Sequence, residues 1–223
     1  MPDRSVRARR MVADQLAPRG ITDALVLRAM ETVPREEFVA RDQRKDAYAD
    51  HPLPIGAGQT ISQPYVVAMM LQAAEIAPSD RVLEIGAGSG YAAAVASRIA
   101  ARVCAVERIE SLAGQAGRRL ARLGYDNVEI RHDDGTRGWP GGGSFDVILV
   151  AAAGPDIPAP LLAQLAPGGR LVMPVGPIGA PQRLVRIRRT ARGDQREYLD
   201  GVVFVPLIGA AGYAEDDGGT ETQ

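Results

Sequence analysis

The chain has 223 residues, 46% of them hydrophobic, and a formal net charge of −1. That length suits one domain with a short extension, and the hydrophobic share can fill a sizeable core. The near-neutral charge excludes the overall basic footprint of a nucleic-acid binder, and no apolar run approaches the roughly 18 residues of a membrane span.

Arginines gather at Arg4, Arg7, Arg9 and Arg10 and again at residues 183–192, and these clusters read as solvated faces. The single cysteine, Cys104, lies in the apolar run Val103-Cys104-Ala105-Val106 and reads as buried filler with no intrachain disulfide partner. The start, Met1 to Arg10, lacks the apolar stretch of a secretory signal, so a cytoplasmic location is expected.

In chain order, residues 5–18 and 22–33 predict two helices separated by Pro18-Arg19-Gly20, with Thr22 as the second N-cap and Asp23 in its first turn. Residues 48–63 carry Pro52, Pro54, Gly56 and Gly58 without helical period, which predicts an ordered loop or short extended pieces. A loop of that length is usually functional. Pro64 opens a helix to about Glu75, ended by Pro78. From residue 81 strands and helices alternate: strands at 81–85, 102–106, 128–131, 145–150 and 169–174, helices at 91–101, 109–124 and 158–165. The strand at 145–150 is almost wholly apolar and is expected at the centre. Two further strands, 183–190 and 197–205, join around Arg192-Gly193-Asp194 as a hairpin. The pattern predicts an α/β fold with a mostly parallel, Rossmann-like sheet and an antiparallel edge. A helical extension with an active-site loop is expected over residues 1–80, the core over 81–210, and a disordered tail over 211–223.

The most informative local feature is Val82-Leu83-Glu84-Ile85-Gly86-Ala87-Gly88-Ser89-Gly90. A strand ends, glycines permit a tight turn and a helix begins, so backbone can approach a ligand at the strand's carboxyl end. A dinucleotide fingerprint would need glycine where Tyr91 stands; the spacing is instead acidic-x-G-x-G-x-G, on Glu84, Gly86, Gly88 and Gly90. That form resembles methyltransferases using S-adenosylmethionine, whose sulfonium ligand has no pyrophosphate and whose amino group suits a carboxylate. Alone, the motif also fits a structural glycine turn.

Glu107, 21 residues after Gly86, ends the second strand, where a carboxylate can accept both hydroxyls of a ribose; the alternative is a surface acid. Asp134-Gly135 follows the third strand, where an acid can accept from an adenine amino group; the alternative is an ordinary turn. Three acids at three successive strand ends make a coherent nucleoside site, and a phosphate cradle of the form G-x-x-x-x-G-K is absent from the sequence.

The stretch Pro52-Leu53-Pro54-Ile55-Gly56-Ala57-Gly58-Gln59-Thr60-Ile61-Ser62-Gln63-Pro64, taken with the glycine motif, resembles the protein-L-isoaspartate O-methyltransferases. The resemblance runs from about Arg10 to Leu207 and includes Arg19-Gly20-Ile21, Val33-Pro34-Arg35-Glu36, Gly138-Trp139-Pro140 and Ala166-Pro167-Gly168-Gly169. It implies a doubly wound methyltransferase sheet, S-adenosyl-L-methionine as methyl donor, S-adenosyl-L-homocysteine as product, and no metal. The implied partners are isoaspartyl peptides and unfolded or flexible protein segments, with neither nucleic acid nor membrane involved. Ser62 is implied as the active-site serine, with Ile61, Ser62, Val205, Pro206 and Leu207 at the peptide groove. Gln59, Thr60, Ile61, Glu107, Asp134 and Gly135 are implied along the cofactor, beside Glu84, Gly86, Gly88 and Gly90 of the glycine motif. Alone, Ser62 reads as the N-cap of the Pro64 helix.

A carboxylate acceptor is already ionised at neutral pH and needs no general base, so His51 and His132 are expected as loop or surface residues. Catalysis is expected from alignment, with the Ser62 hydroxyl orienting the acceptor. The resemblance implies that the ester cyclises to a succinimide, whose hydrolysis restores some normal aspartyl linkage. The sequence departs from the family at Asp133, where glycine is usual, at Ala151–Pro155, and in the Pro- and Gly-rich residues 175–182. The nearest rival is an aspartyl O-methyltransferase of a dedicated peptide-modification pathway. A cofactor-binding adaptor and a small-molecule methyltransferase stand further off.

Overall fold

Residues 4–215 are described by a computed structural model. The chain before the core supplies helices α1 (Arg4–Met11), α2 (Ala24–Thr32) and α3 (Pro64–Ala74), and an antiparallel hairpin of β1 (Leu53–Gly56) and β2 (Gln59–Ile61). The core follows as β3 (Arg81–Ile85), α4 (Tyr91–Ser97), β4 (Arg102–Glu107), α5 (Glu110–Arg122), β5 (Val128–His132), β6 (Phe145–Val150) and α6 (Ala159–Ala163). It closes with β7 (Leu165–Val175), β8 (Gln182–Thr190) and β9 (Gly193–Val202).

The seven core strands form one sheet in the order β5-β4-β3-β6-β7-β8-β9. Pairings from β5 through β7 are parallel, and β7–β8 and β8–β9 are antiparallel. The chain enters at β3, winds outward through β4 and β5, then crosses back to β6 on the other side. This doubly wound order leaves a switch point at the carboxyl ends of β3 and β6, the place where such sheets bind ligands.

Alternation along the central strands divides the core in two. Val82, Val103, Val147 and Leu149 pack into one apolar cluster with the N-terminal helices. Their neighbours Leu83, Cys104, Ile148 and Val150 pack into the other with Trp139 and Leu161. A strand buried on both faces reads as a continuous apolar run, which is why β6 sits at the centre. Cys104 is buried and unpaired, while His51 and His132 are exposed. Three β8 arginines stand in ion pairs: Arg186 with Glu75 and Glu197, Arg188 with Glu75, Arg189 with Asp194.

Several local expectations are corrected. The first helix does not run regularly through residues 5–18: after α1 it widens into a π turn (Val12–Leu16), tightens to a 3-10 turn (Ala17–Arg19) and stops at Gly20 with φ of 89°. Thr22 does not cap α2. Asp23 does, its Oδ1 accepting the Leu25 and Val26 N–H groups at 2.8 and 3.1 Å, while the Thr22 N–H is occupied by Gln72 Oε1. The helix expected at 91–101 ends at Ser97, and Asn127 Nδ2 binds the freed Ser97 carbonyl at 3.0 Å. The last strand spans Gly193–Val202 rather than 197–205, because Thr190 pairs directly with Gly193 across a tighter turn. Val203 to Val205 thereby leave the sheet, and the chain pairs instead with Ala153, which donates to the Val205 carbonyl at 2.8 Å and accepts from the Leu207 N–H at 2.7 Å. Of the tail expected from residue 211, Tyr213 N–H donates to the Leu207 carbonyl at 2.8 Å; residues 216–223 lie outside the described residues.

Candidate active site

The switch point is fixed by backbone bonds between neighbouring strand ends. Gly86 N–H donates to the Val106 carbonyl and Ala151 N–H to the Ile85 carbonyl, each at 2.8 Å. Gly86, Gly88 and Gly90 adopt φ values of 86°, 53° and 85°, conformations that L side chains resist. The loop thus turns sharply from β3 into α4 and borders a cavity of about 570 Å³, within the range of small-ligand sites.

Two of the three predicted acids face this cavity. Glu107 is buried, and its carboxylate accepts the Gly88 N–H through Oε2 and the Ile109 N–H through Oε1, both at 2.8 Å. A carboxylate offers about four lone-pair sites, so each oxygen retains capacity for a hydroxyl donor. Glu84 is 2% exposed, and its Oε2 has no hydrogen-bond partner. Loss of hydration raises its carboxyl to about 8, the nearby Glu107 charge adds to the rise, and the Ala93 backbone bond opposes it. An orphaned buried carboxyl at the base of a cavity calls for a donor or a cation.

Asp134 is placed differently. Its Oδ1 accepts from the Thr136 N–H at 2.9 Å and hydroxyl at 2.7 Å, and Oδ2 accepts the Ala210 N–H at 2.9 Å. Those donors hold its carboxyl below the ordinary aspartate range against the opposing effect of burial. Its neighbour Gly135 lines the cavity, where a Cβ would lie 2.5 Å from Ile85 Cγ2, so only glycine allows this approach. Arg108, Ile109, Ile208 and Glu215 complete that end, and Arg108 pairs with Glu215 at 3.0 Å. Lone surface-like residues in turns carry no sequence signal, and these four were not anticipated.

Gln59, Thr60, Ile61 and Ser62 form the opposite wall. A second, open groove of about 950 Å³ adjoins it, bordered by Arg19, Tyr65, Val66, Met69, Val203 and Phe204. Thr60, Ser62, Ala151 and Val205 border both spaces, so Ser62 stands at the mouth between cavity and groove. Ile61, Pro206 and Leu207 face the cavity and not the groove. Ser62 does not cap α3: Gln63 occupies that position without a side-chain cap bond. Of the altered positions, Ala151 lies at the mouth and Pro181 on the groove's rim. Among the described residues no three His, Cys, Asp or Glu side chains gather as metal ligands.

A sequence profile described as protein-L-isoaspartate(D-aspartate) O-methyltransferase matches residues 7–212. The chain belongs to this family. It is 57% identical over 204 residues to the protein-L-isoaspartate O-methyltransferase 2 of Pelobacter propionicus, covering 91% of each chain. It is 54% identical over 217 residues to the protein-L-isoaspartate O-methyltransferase of Methylorubrum extorquens, covering 96% of this chain and 94% of that one. Among solved structures, one protein-L-isoaspartate O-methyltransferase superposes with a TM-score of 0.82 at 28% identity, over 94% of this chain and 67% of that one. A second, described as the family member of Plasmodium falciparum in complex with S-adenosyl-L-homocysteine, superposes with a TM-score of 0.78 at 27% identity, over 90% and 98%.

The cavity fits the ligand named in that complex, judged on this protein's own atoms. Glu84 lacks the donor that an amino group supplies, each Glu107 oxygen retains capacity for a hydroxyl, and Gly86, Gly88 and Gly135 line the cavity.

Proposed function

We propose that this protein transfers a methyl group from S-adenosylmethionine to the free α-carboxylate of isoaspartyl residues in peptides and flexible protein segments, the step that initiates repair. The observation that carries the reading is the position of Ser62, shared by the cofactor cavity and the groove beside it. When bound, S-adenosylmethionine supplies a methyl group on a sulfonium, an electrophile that an ionised carboxylate attacks without a base. Glu84 holds the amino group, Glu107 accepts the ribose hydroxyls, and the glycine loop packs against the ligand. Ser62 donates its hydroxyl to the acceptor carboxylate and orients it, while Val205 walls the mouth. Alignment of this kind is worth several orders of magnitude in rate. Extended backbone lies in the groove against Val203 and Phe204, a posture open to flexible segments and closed to folded ones. The methyl ester then cyclises to a succinimide on its own, and hydrolysis returns part of it to the aspartyl linkage. A cytoplasmic location belongs to this reading and agrees with the lone, buried and unpaired Cys104.

An isoaspartyl carboxylate leaves the backbone one methylene closer than an aspartate side chain. A groove that fixes backbone therefore presents one of the two correctly, and a misplacement of ~1 Å costs on the order of a hundredfold. The test is transfer of labelled methyl to two peptides identical except for that linkage, at limiting acceptor. Transfer to the isoaspartyl peptide alone is expected. Equal specificity constants, or preference for the aspartyl twin, would overturn the reading in favour of a dedicated aspartyl methyltransferase.

A further inference from the structure

Arg35 belongs to the Val33-Pro34-Arg35-Glu36 segment, and the chemistry above leaves it unused. Its side chain is 0% exposed. Nε donates to the Ala47 carbonyl and Nη2 to the Ser62 carbonyl, each at 2.7 Å, while Nη1 has no hydrogen-bond partner. Its Cζ lies 4.6 Å from the centroid of the Tyr91 ring. Burial pushes its guanidinium below the usual arginine range, and the groups that oppose this are the phenols of Tyr91 and Tyr48 rather than a carboxylate. A guanidinium stays charged, and burying one without an anion is costly, whereas an apolar side chain of similar shape fills the same volume without that cost. Packing alone does not account for arginine here.

Its three contacts do. Ala47 lies in the N-terminal segment, Ser62 between β2 and α3, and Tyr91 opens α4 and lines the cofactor cavity. With Gln63 as the helix cap and no side-chain cap bond, the Arg35 contact anchors the Ser62 peptide from outside its own element.

We propose that Arg35 is a positioning residue for methyl transfer: it holds the Ser62 carbonyl and so keeps the Ser62 hydroxyl at the mouth, in register with the cavity wall at Tyr91. The inference rests on the role given to Ser62. Releasing the carbonyl lets the Ser62–Gln63 peptide rotate and carries the hydroxyl away from the acceptor, while the cofactor contacts of Glu84 and Glu107 are untouched.

The test is a cycle of Arg35→Gln, Ser62→Ala and the double variant in the full-length protein. It reads kcat and KM for an isoaspartyl peptide, the Kd of S-adenosylhomocysteine, and Tm. Arg35→Gln is expected to lower kcat by roughly tenfold or more, with the S-adenosylhomocysteine Kd within about twofold of native. Arg35→Lys, which keeps the cation and a donor, should recover part of the loss. In the Ser62→Ala background Arg35→Gln should cost less than about threefold further, since both act through one hydroxyl. Glu36→Ala serves as control: it removes the acceptor of the Tyr48 hydroxyl from the same 3-10 turn and should lower Tm without changing kcat. Fully multiplicative losses in the double variant, a native kcat in Arg35→Gln, or parallel losses in kcat and cofactor affinity would overturn the proposal. Should Arg35→Gln not fold, Arg35→Met, which fills the same volume without a donor, carries the same cycle with the same outcomes. A native rate in Ser62→Ala alone instead removes the reading of Ser62, and is seen before the cycle is completed.

Discussion

Glu107, the last residue of β4, reaches back to the glycine loop, where its Oε2 accepts the Gly88 N–H at 2.8 Å. One carboxylate thus shapes the loop that approaches the ligand and faces the cavity in which the ligand's hydroxyls would be received. The scaffold role and the proposed binding role fall on the same atoms.

Glu107→Ala is expected to weaken S-adenosylhomocysteine binding by at least tenfold, since two hydroxyl bonds to a charged acceptor are worth about 1.5–3 kcal/mol each. The double duty adds a second effect. The Gly88 and Ile109 N–H groups lose their acceptor, so Tm should fall as well. Calorimetry and thermal unfolding on the same preparation check both, and an unchanged Kd would return Glu107 to a purely structural role.

With Glu84 in the proposed role, cofactor binding should depend on pH. Its carboxyl is raised to about 8, first by burial and then by Glu107. The ligand-free fold therefore keeps a proton that the unfolded chain gives up, and this contribution to stability is full in acid and lost as pH rises through about 8. A ligand amino group facing Oε2 favours the ionised form, so binding near neutral pH should expel a proton. The binding enthalpy of native protein should vary with the ionisation heat of the buffer, and that of Glu84→Gln should not. A buffer-independent enthalpy for native protein would mean that Glu84 is already ionised.

Ser62→Ala should lower kcat by roughly ten- to a hundredfold, the equivalent of an orienting bond of about 1.5–3 kcal/mol. Because Ser62 does not cap α3, Tm should stay near native. Loss of a capping serine would instead cost about 1 kcal/mol of stability with little kinetic change. Turnover and melting measured together separate the two.

Asp134 is bonded inward to Thr136 and Ala210, so Asp134→Asn should cost less cofactor affinity than Glu107→Gln. Its principal effect should be faster amide exchange at Ala210 and Ala211, whose N–H groups are held by Asp134 and by Thr136 Oγ1. An affinity loss equal to that of Glu107→Gln would place the carboxylate on the ligand.

Much of this architecture was legible without the fold. The strands at 81–85 and 145–150 match β3 and β6 at both ends, and Pro64 begins α3 as read. The glycine spacing led to three positive φ angles because a turn that tight has few backbone solutions. Glycine placement, apolar periodicity and capping are local properties, written in a few adjacent residues. The turn after Thr190 is four residues shorter than the local pattern suggests, since a turn's length is settled by register with the partner strand.

The sequence by itself determined the order of strands and helices, the ligand loop at the end of β3 and the three candidate acids. Only the tertiary structure decided which acids face the cavity, that burial and Glu107 raise the Glu84 carboxyl to about 8, and that Arg35 grips Ser62 across 27 residues of chain. Contacts of that span, and the loss of water that shifts a carboxyl, exist only once distant segments have packed together. Asp134 lies at a strand end as the other two acids do, but a backbone N–H from residue 210, 76 positions away, claims its carboxylate.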